Sequence, residues 1–297
     1  MHELLLFAQI PLSRHNQLLR ILCGIAGTQP QRVVERHLIF MPRKIHDSRG
    51  QQVGGTQTVQ NQQAQALQGQ LHGELFHLQL VGEIDDGQFA DEDGRTLEGE
   101  QEEEDEVMKD AAGGKIEILA KPEPSPLKAP SGDSVEKPFY HFEKQRWSLR
   151  FHDLPEVPVR RPVTSRMVSS VDIIDGNAIE FMDALGYKYV SEYILEGHRV
   201  THNNLTLLLH HIMLFPPLPP NGTSISSPRK SLPPYCSLVP LDQSGGYVLQ
   251  ASALVQDGTK PESITLGISQ LKAFKDMMKG VVELEIGDRL ALDTRVK

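Results

Sequence analysis

The segment "GVVELEIGDRL", Gly280 to Leu290, sets Glu283 and Glu285 one residue apart. On a β-strand such a pair points to one side, because side chains alternate faces with a period of two. Two carboxylates on one side can share a proton or offer oxygen ligands to a divalent cation. A metal-dependent phosphate site needs more: carboxylates converging from different strands, with Arg and Lys to hold the phosphate. The matching strand near the N-terminus reads "RVVERHLIF", where Glu35 is followed two residues later by His37 and then Ile39. No second Glu-x-Glu pair occurs there. Glu283 and Glu285 are therefore expected to be polar lining or rim of a β structure. No catalytic, cofactor-binding or metal-binding residue is assigned.

The other chemistry-bearing residues point the same way. His198 and His202 would share a metal on a helix, but their context is a strand and its turn, where four residues span about 13 Å. His210 and His211 are adjacent and face opposite sides of a strand. Two cysteines, Cys23 and Cys236, cannot build a disulfide framework and fit a reducing compartment. Cys23 reads as a small core filler in a helix. No nucleophile elbow, phosphate-binding loop or dinucleotide fingerprint is present. Arg160 and Arg161 form a small basic spot without aromatics at alternating positions, so direct sequence-specific nucleic-acid binding is not expected.

The elements that would position these residues are mainly strands. Strands are predicted at His2 to Ile10, Arg32 to Met41, Glu74 to Val81, through Phe151, at Thr164 to Ile174, Tyr187 to Val200, Leu205 to Phe215 and Gly246 to Gln256, with the Glu283 segment closing the chain as one or two more. Three helices are predicted. The first runs from Arg14 to Ile25 with Ser13 as N-cap. The second follows Asn177, whose spacing to Glu180 makes a capping box, and buries Ala178, Phe181, Met182 and Leu185. The third covers Pro261 to Lys279 with Pro261 in its first turn. Strands joined by short turns such as "HRVTHNN", without regular βαβ alternation, imply a mostly antiparallel sheet. From Tyr187 to Glu196 one face carries Tyr187, Tyr189, Tyr193 and Leu195, and the other Lys188, Val190, Glu192, Ile194 and Glu196. A barrel with a hydrated interior writes this pattern, and so does an open sheet with one wet face.

Composition divides the chain. The net charge is −9, but residues 82–137 alone hold 18 acidic and 6 basic residues, and the remainder is near neutral. That tract, which includes "EGEQEEEDE", and the Gln/Gly/Thr-rich tract 44–70 cannot bury enough apolar surface to offset their ordering entropy, so both are expected to be disordered insertions. A Pro/Ser-rich loop covers 216–234. The rest, within 1–297, is expected to be a single domain. The N-terminal "MHELLLFAQIP" lacks the basic start of a signal peptide, and no apolar run reaches the roughly 18 residues that span a bilayer. The sequons at Asn204 and Asn221 then read as chance matches.

Several stretches, in order along the chain, carry a resemblance: "MHELLLFAQIPLSRHNQLLRIL" with "ERHLIFMPRK", "RFHDLPEVPVRRPVTSRMV", "LGYKYVSEYILEGHRV" and "LKAFKDMMKGVVELEIGDRLALDTRVK". Together they resemble the Mediator subunit 18 family in its filamentous-fungal form. The resemblance implies a mainly β (α+β) fold, a closed antiparallel β-barrel of the triphosphate-tunnel type with about three flanking helices, and no enzymatic activity or cofactor. It implies a nuclear, non-catalytic structural subunit of the head module of a coactivator complex that links regulators to RNA polymerase II. The implied partners are Mediator subunit 20, as a heterodimer, and the C-terminal helix of Mediator subunit 8. The two insertions lie outside the resemblance. Partner contacts are expected among Phe215, Leu218 and Tyr235, apolar residues around the Pro-rich loop. The alternative function is a tunnel-type, metal-dependent phosphohydrolase of triphosphate or polyphosphate, resting on Glu283 and Glu285.

Overall fold

The computed structural model describes residues 1–43, 76–90, 140–157, 162–216, 227–258 and 260–296. Its elements are β1 (His2–Ile10), α1 (His15–Ala26), β2 (Gln31–Pro42), β3 (Leu78–Glu83), β4 (Trp147–His152), β5 (Thr164–Ile173), α2 (Ala178–Ala184), β6 (Tyr187–His202), β7 (Leu205–Leu214), β8 (Val239–Pro240), β9 (Tyr247–Val255) and α3 (Pro261–Met278). Among the described residues the strands form one sheet in the order β6-β2-β3-β4-β5-β1-β9-β7-β8, and β6 also pairs with β7. That extra pairing closes eight strands into an antiparallel barrel and leaves β8 as a short appendage of β7. Closure satisfies the backbone groups that an open sheet would leave at its edges. The β6–β7 turn is tight because Asn203 adopts the left-handed conformation, φ 53°, which Asn tolerates better than most residues.

The pairing register decides which side chains face inward. Residues opposite each other in an antiparallel pair share a face. Glu35 lies opposite Leu195, His37 opposite Tyr193, Gln79 opposite Arg150, and Glu3 opposite Arg166. These belong to the lumen. The apolar residues at the intervening positions face outward and are covered there. Leu4 and Leu6 of β1, Leu207 and Leu209 of β7 and Leu249 of β9 pack under α1 and α3, against Leu18, Leu22, Leu271 and Phe274. Leu38, Phe40, Leu80, Trp147 and Tyr187 pack under α2 through Ala178 and Met182. Val34, Ile194 and Met213 are covered by Ile84, Phe89, Tyr140, Leu232 and Leu238. Each fully covered Leu or Phe contributes about 1.5–3 kcal/mol, so most of the apolar stabilisation lies outside the barrel wall, and the lumen combines polar side chains with a few buried apolar ones such as Leu5, Val81 and Leu195.

Four details differ from the expectations. A bulge between Ile39 and Phe40 shifts the β2–β6 register. It turns Tyr187 and Tyr189 to the outer face and leaves Tyr193 and Leu195 in the lumen, so the apolar face expected along β6 is split between the two sides. The helix expected to be capped by Ser13 is instead preceded by a 3₁₀ turn, Leu12–Arg14, with no side-chain cap. In α2 the Asn177 cap is present, accepting from the Ile179 and Glu180 amides, but Phe181 is exposed. The boundary expected at 82 falls beyond Ala90: Gly82 and Glu83 complete β3, and Ile84 and Phe89 are core residues. The tract 44–70 and the remainder of 82–137 lie outside the described residues.

The C-terminal segment is not a barrel strand. After α3 it makes a two-bond bridge with β1, Phe7 N–H to Glu285 O and Glu285 N–H to Phe7 O, each 2.8 Å. It then crosses one mouth of the barrel. Gly287 N–H donates to Thr164 Oγ1 at 3.0 Å, Arg289 Nε to the Pro155 carbonyl at 2.7 Å, and Thr294 Oγ1 to the His152 carbonyl at 2.6 Å. The bridge of Arg295 to Phe76 ends the crossing beside β3.

Candidate functional site

The lumen centres on Glu35, which is buried at 3% exposure. Arg199 Nη2 donates to Oε1 at 3.1 Å and Arg150 Nη1 to Oε2 at 3.3 Å. His37 Nε2 lies 3.2 Å from Oε2, while its Nδ1 is 3.4 Å from Gln79 Oε1. The His37 ring stacks on Tyr193, centroids 4.7 Å apart and 10° from parallel. Burial alone would raise the carboxyl's pKa. The His37 hydrogen bond and the charges of Arg150 and Arg199 outweigh it and hold Glu35 at about 2. A carboxylate so low and so fully engaged has no proton to give at neutral pH and little capacity to take one. It ties β2, β4 and β6 together across the lumen. A second lumen pair, Arg166 Nη2 and Glu3 Oε2 at 2.7 Å, ties β5 to β1. His152 is driven down to about 3 by burial and by Arg166 and Arg150, so it stays neutral in this field.

Glu283 and Glu285 take no part. Val282 and Leu284 are buried beneath α3, and the alternation leaves both glutamates exposed at the rim of the mouth that the C-terminal segment crosses, with Glu285 on the face of its bridge partner Phe7. The expectation of a polar lining or rim is met at the rim, where both residues are exposed. Among the described residues no group of three or more His, Cys, Asp or Glu side chains is arranged to hold a metal ion. His210 faces the lumen and His211 the outside, where it stacks on Tyr247 at 4.3 Å. Cys23 is half-buried and Cys236 exposed, and both are free thiols.

The outer wall of β2 and β6 carries two further charged clusters under the loop that follows β7. Arg36, fully buried, donates Nε to Glu192 Oε2 at 3.1 Å, Nη1 to the Tyr140 hydroxyl at 2.9 Å and Nη2 to the Arg229 carbonyl at 2.7 Å. Glu192 also faces Arg229, Nε to Oε1 at 3.3 Å. Phe215 lies between the two guanidinium groups, 5.8 Å from that of Arg36 and 4.9 Å from that of Arg229. In the second cluster Glu196 accepts from Arg32 at 3.0 Å and from the Tyr235 hydroxyl, and lies 3.1 Å from His211 Nε2. Of the three expected partner contacts, Phe215 is thus packed against the barrel's own charges, Tyr235 is exposed over about a third of its surface (36%), and Leu218 lies outside the described residues, as do Arg160 and Arg161.

A profile of the Med18 protein family matches residues 2–295. The chain belongs to this family. A Mediator of RNA polymerase II transcription subunit 18 from Aspergillus fumigatus is 34% identical over 304 residues, with both chains covered in full. One from Coccidioides immitis is 35% identical over 297 residues, again covering both in full. A solved structure described as the Schizosaccharomyces pombe Mediator head module matches with a TM-score of 0.55 at 16% identity, over 97% of this chain and 99% of that one. It shares the fold. The barrel expected of a Med18 chain is therefore present, and the acidic run lies outside the described residues.

Sequence reasoning about this Med18 chain missed the centre of the lumen, although a signal existed. "WSLRFH" alternates apolar Trp147, Leu149 and Phe151 with polar Ser148, Arg150 and His152. Glu35 and His37 stand at the matching positions of β2. Polar side chains at every second position of strands whose other face is apolar mark one polar face, which closure of the sheet turns into a polar lumen.

Proposed function

We propose that the chain is a non-catalytic structural subunit of the Mediator coactivator complex, carried in its head module, which links regulators to RNA polymerase II in the nucleus through protein contacts. Membership of the Med18 family over residues 2–295 is the observation that carries this reading. The lumen geometry supports the non-catalytic part: its central carboxylate, Glu35, is spent on Arg150, Arg199 and His37. The partners of this reading are Mediator subunit 20, as a heterodimer, and the C-terminal helix of Mediator subunit 8. A closed barrel is a stiff platform, and stiffness reduces the ordering cost of binding. Tyr235 is the residue we carry into the interface, because an aromatic with one wet edge is a common anchor. Two measurements test the reading together. Affinity purification of the tagged chain from nuclear extract should recover Mediator head subunits, identified by mass spectrometry. A triphosphate and polyphosphate hydrolysis assay with magnesium or manganese should show no turnover above buffer. Purification without Mediator subunits, or metal-dependent turnover lost in Glu35→Gln, would overturn it.

A further inference from the structure

The described part of the Pro/Ser-rich loop begins with "SPRK", Ser227 to Lys230. A serine hydroxyl followed by Pro, with a cation three residues on, is the pattern that proline-directed Ser/Thr protein kinases read. The structure divides that pattern in two. Ser227 and Lys230 are exposed, whereas Pro228 is buried and Arg229 is half-buried. Arg229 is the tether: its backbone N–H reaches Glu192 Oε1 at 3.4 Å, its Nη2 donates to the Pro216 carbonyl at 2.9 Å, and its guanidinium lies over Phe215.

We propose that Ser227 is a phosphoacceptor for a proline-directed Ser/Thr kinase, and that the Arg229–Glu192 tether masks it in the docked loop. In the reaction Ser227 Oγ attacks the γ-phosphorus of a nucleoside triphosphate. The Oγ–P bond forms as the bond to the β–γ bridging oxygen breaks, a nucleoside diphosphate leaves, and the hydroxyl proton passes to the kinase's carboxylate base. Such kinases bind their substrates extended, so Pro228 must leave its buried position before it can be read. The product carries a charge of about −1.5 to −2 and three acceptor oxygens. Two residues from Arg229, that dianion competes with Glu192 for the guanidinium and opposes redocking. Glu192 keeps Arg36 as its partner, so release does not strand a buried carboxylate. Leu232 and Leu238 anchor the same loop to the barrel, and Tyr235 lies between them. Phosphorylation therefore alters how Tyr235 is presented.

The test uses the full chain, a purified proline-directed kinase and ATP with magnesium, with occupancy of each site read by peptide mass spectrometry. A second sequence match, "SPLK" at Ser125 to Lys128, reports in the same sample that the kinase is active. Arg229→Ala removes the side-chain contacts of the tether, to Glu192, the Pro216 carbonyl and Phe215, but keeps Ser-Pro-x-Lys, and should be phosphorylated at Ser227 several-fold faster than the unmodified sequence. Lys230→Ala, at an exposed position, should be several-fold slower. Amide exchange across 227–238 should accelerate once Ser227 carries phosphate. Label at Ser125 with none at Ser227 in all three proteins would overturn the site. Equal rates with and without Arg229 would overturn the masking, and unchanged exchange after phosphorylation would overturn the release.

Discussion

Arg36 of β2 and Glu192 of β6 form an ion pair on the outer wall of the barrel, with Arg36 Nε 3.1 Å from Glu192 Oε2 and the guanidinium wholly shielded from water. A buried pair is a poor source of net stability, because desolving two charges costs about as much as their attraction returns. Its consequence is specificity. Once Arg36 is buried there, it must find Glu192, Tyr140 and the Arg229 carbonyl, and that requirement fixes where three separate segments meet.

Breaking the pair on one side leaves the other charge buried and uncompensated. Glu192→Gln should destabilise the fold by about 3–5 kcal/mol, read as a lowered urea midpoint. The double variant Arg36→Met with Glu192→Leu should cost clearly less than the two single changes added together. Simple additivity in that cycle would show that the two residues are not coupled.

Stability should fall in two stages as pH drops. His152 titrates near 6.5 in the unfolded chain and at about 3 in the barrel. The unfolded chain therefore takes up its proton first, and the stability linked to His152 is whole above pH 6.5 and declines towards 3. Glu35 titrates near 4.5 unfolded and at about 2 folded, so its contribution is present above pH 4.5 and lost towards 2. Urea melts across both windows measure this. His152→Gln should shrink the upper stage, which His198 and His210, also lowered by burial, share, and Glu35→Gln the lower one, which Glu196, also held at about 2, shares. A stability curve that stays level from pH 6.5 to 4.5 would contradict the half-buried, neutral His152.

The rim position of Glu283 and Glu285 makes a sharp contrast with their neighbour. Replacing both by Gln should leave the melting temperature unchanged, since neither holds a buried partner. Leu284→Ala, between them and wholly buried, should cost about 2–5 kcal/mol. The reverse ranking would mean that the segment packs the other way round, with the glutamates buried and Leu284 in solvent.

Much of this was legible in the chain. The three helices, the Asn177 cap of α2 and the period-two alternation of the strands all rest on local patterns, and local rules found them. Closure was not legible. An open sheet and a barrel write the same alternation, and the β2–β6 and β1–β9 pairings that the closed wall requires join segments far apart in sequence. The bulge at Ile39/Phe40 also escaped, because no Gly or Pro marks it. Glu35 was set aside for lacking a second glutamate two residues on, whereas its real partners, Arg150 and Arg199, come from strands over a hundred residues away. Glu283 and Glu285 drew attention by their spacing, and a bridge to Phe7 followed by a crossing of the barrel mouth cannot be read from spacing.

The central claim is that this barrel works as an assembly subunit. It is tested most directly by co-expressing the full chain with Mediator subunits 20 and 8, followed by size-exclusion chromatography with light scattering. The account predicts one stable peak with the mass of a complex holding one copy of each chain, and a weakened complex in Tyr235→Ala that still melts as a folded protein. Elution of the folded chain alone, with both partners folded and in excess, would contradict it.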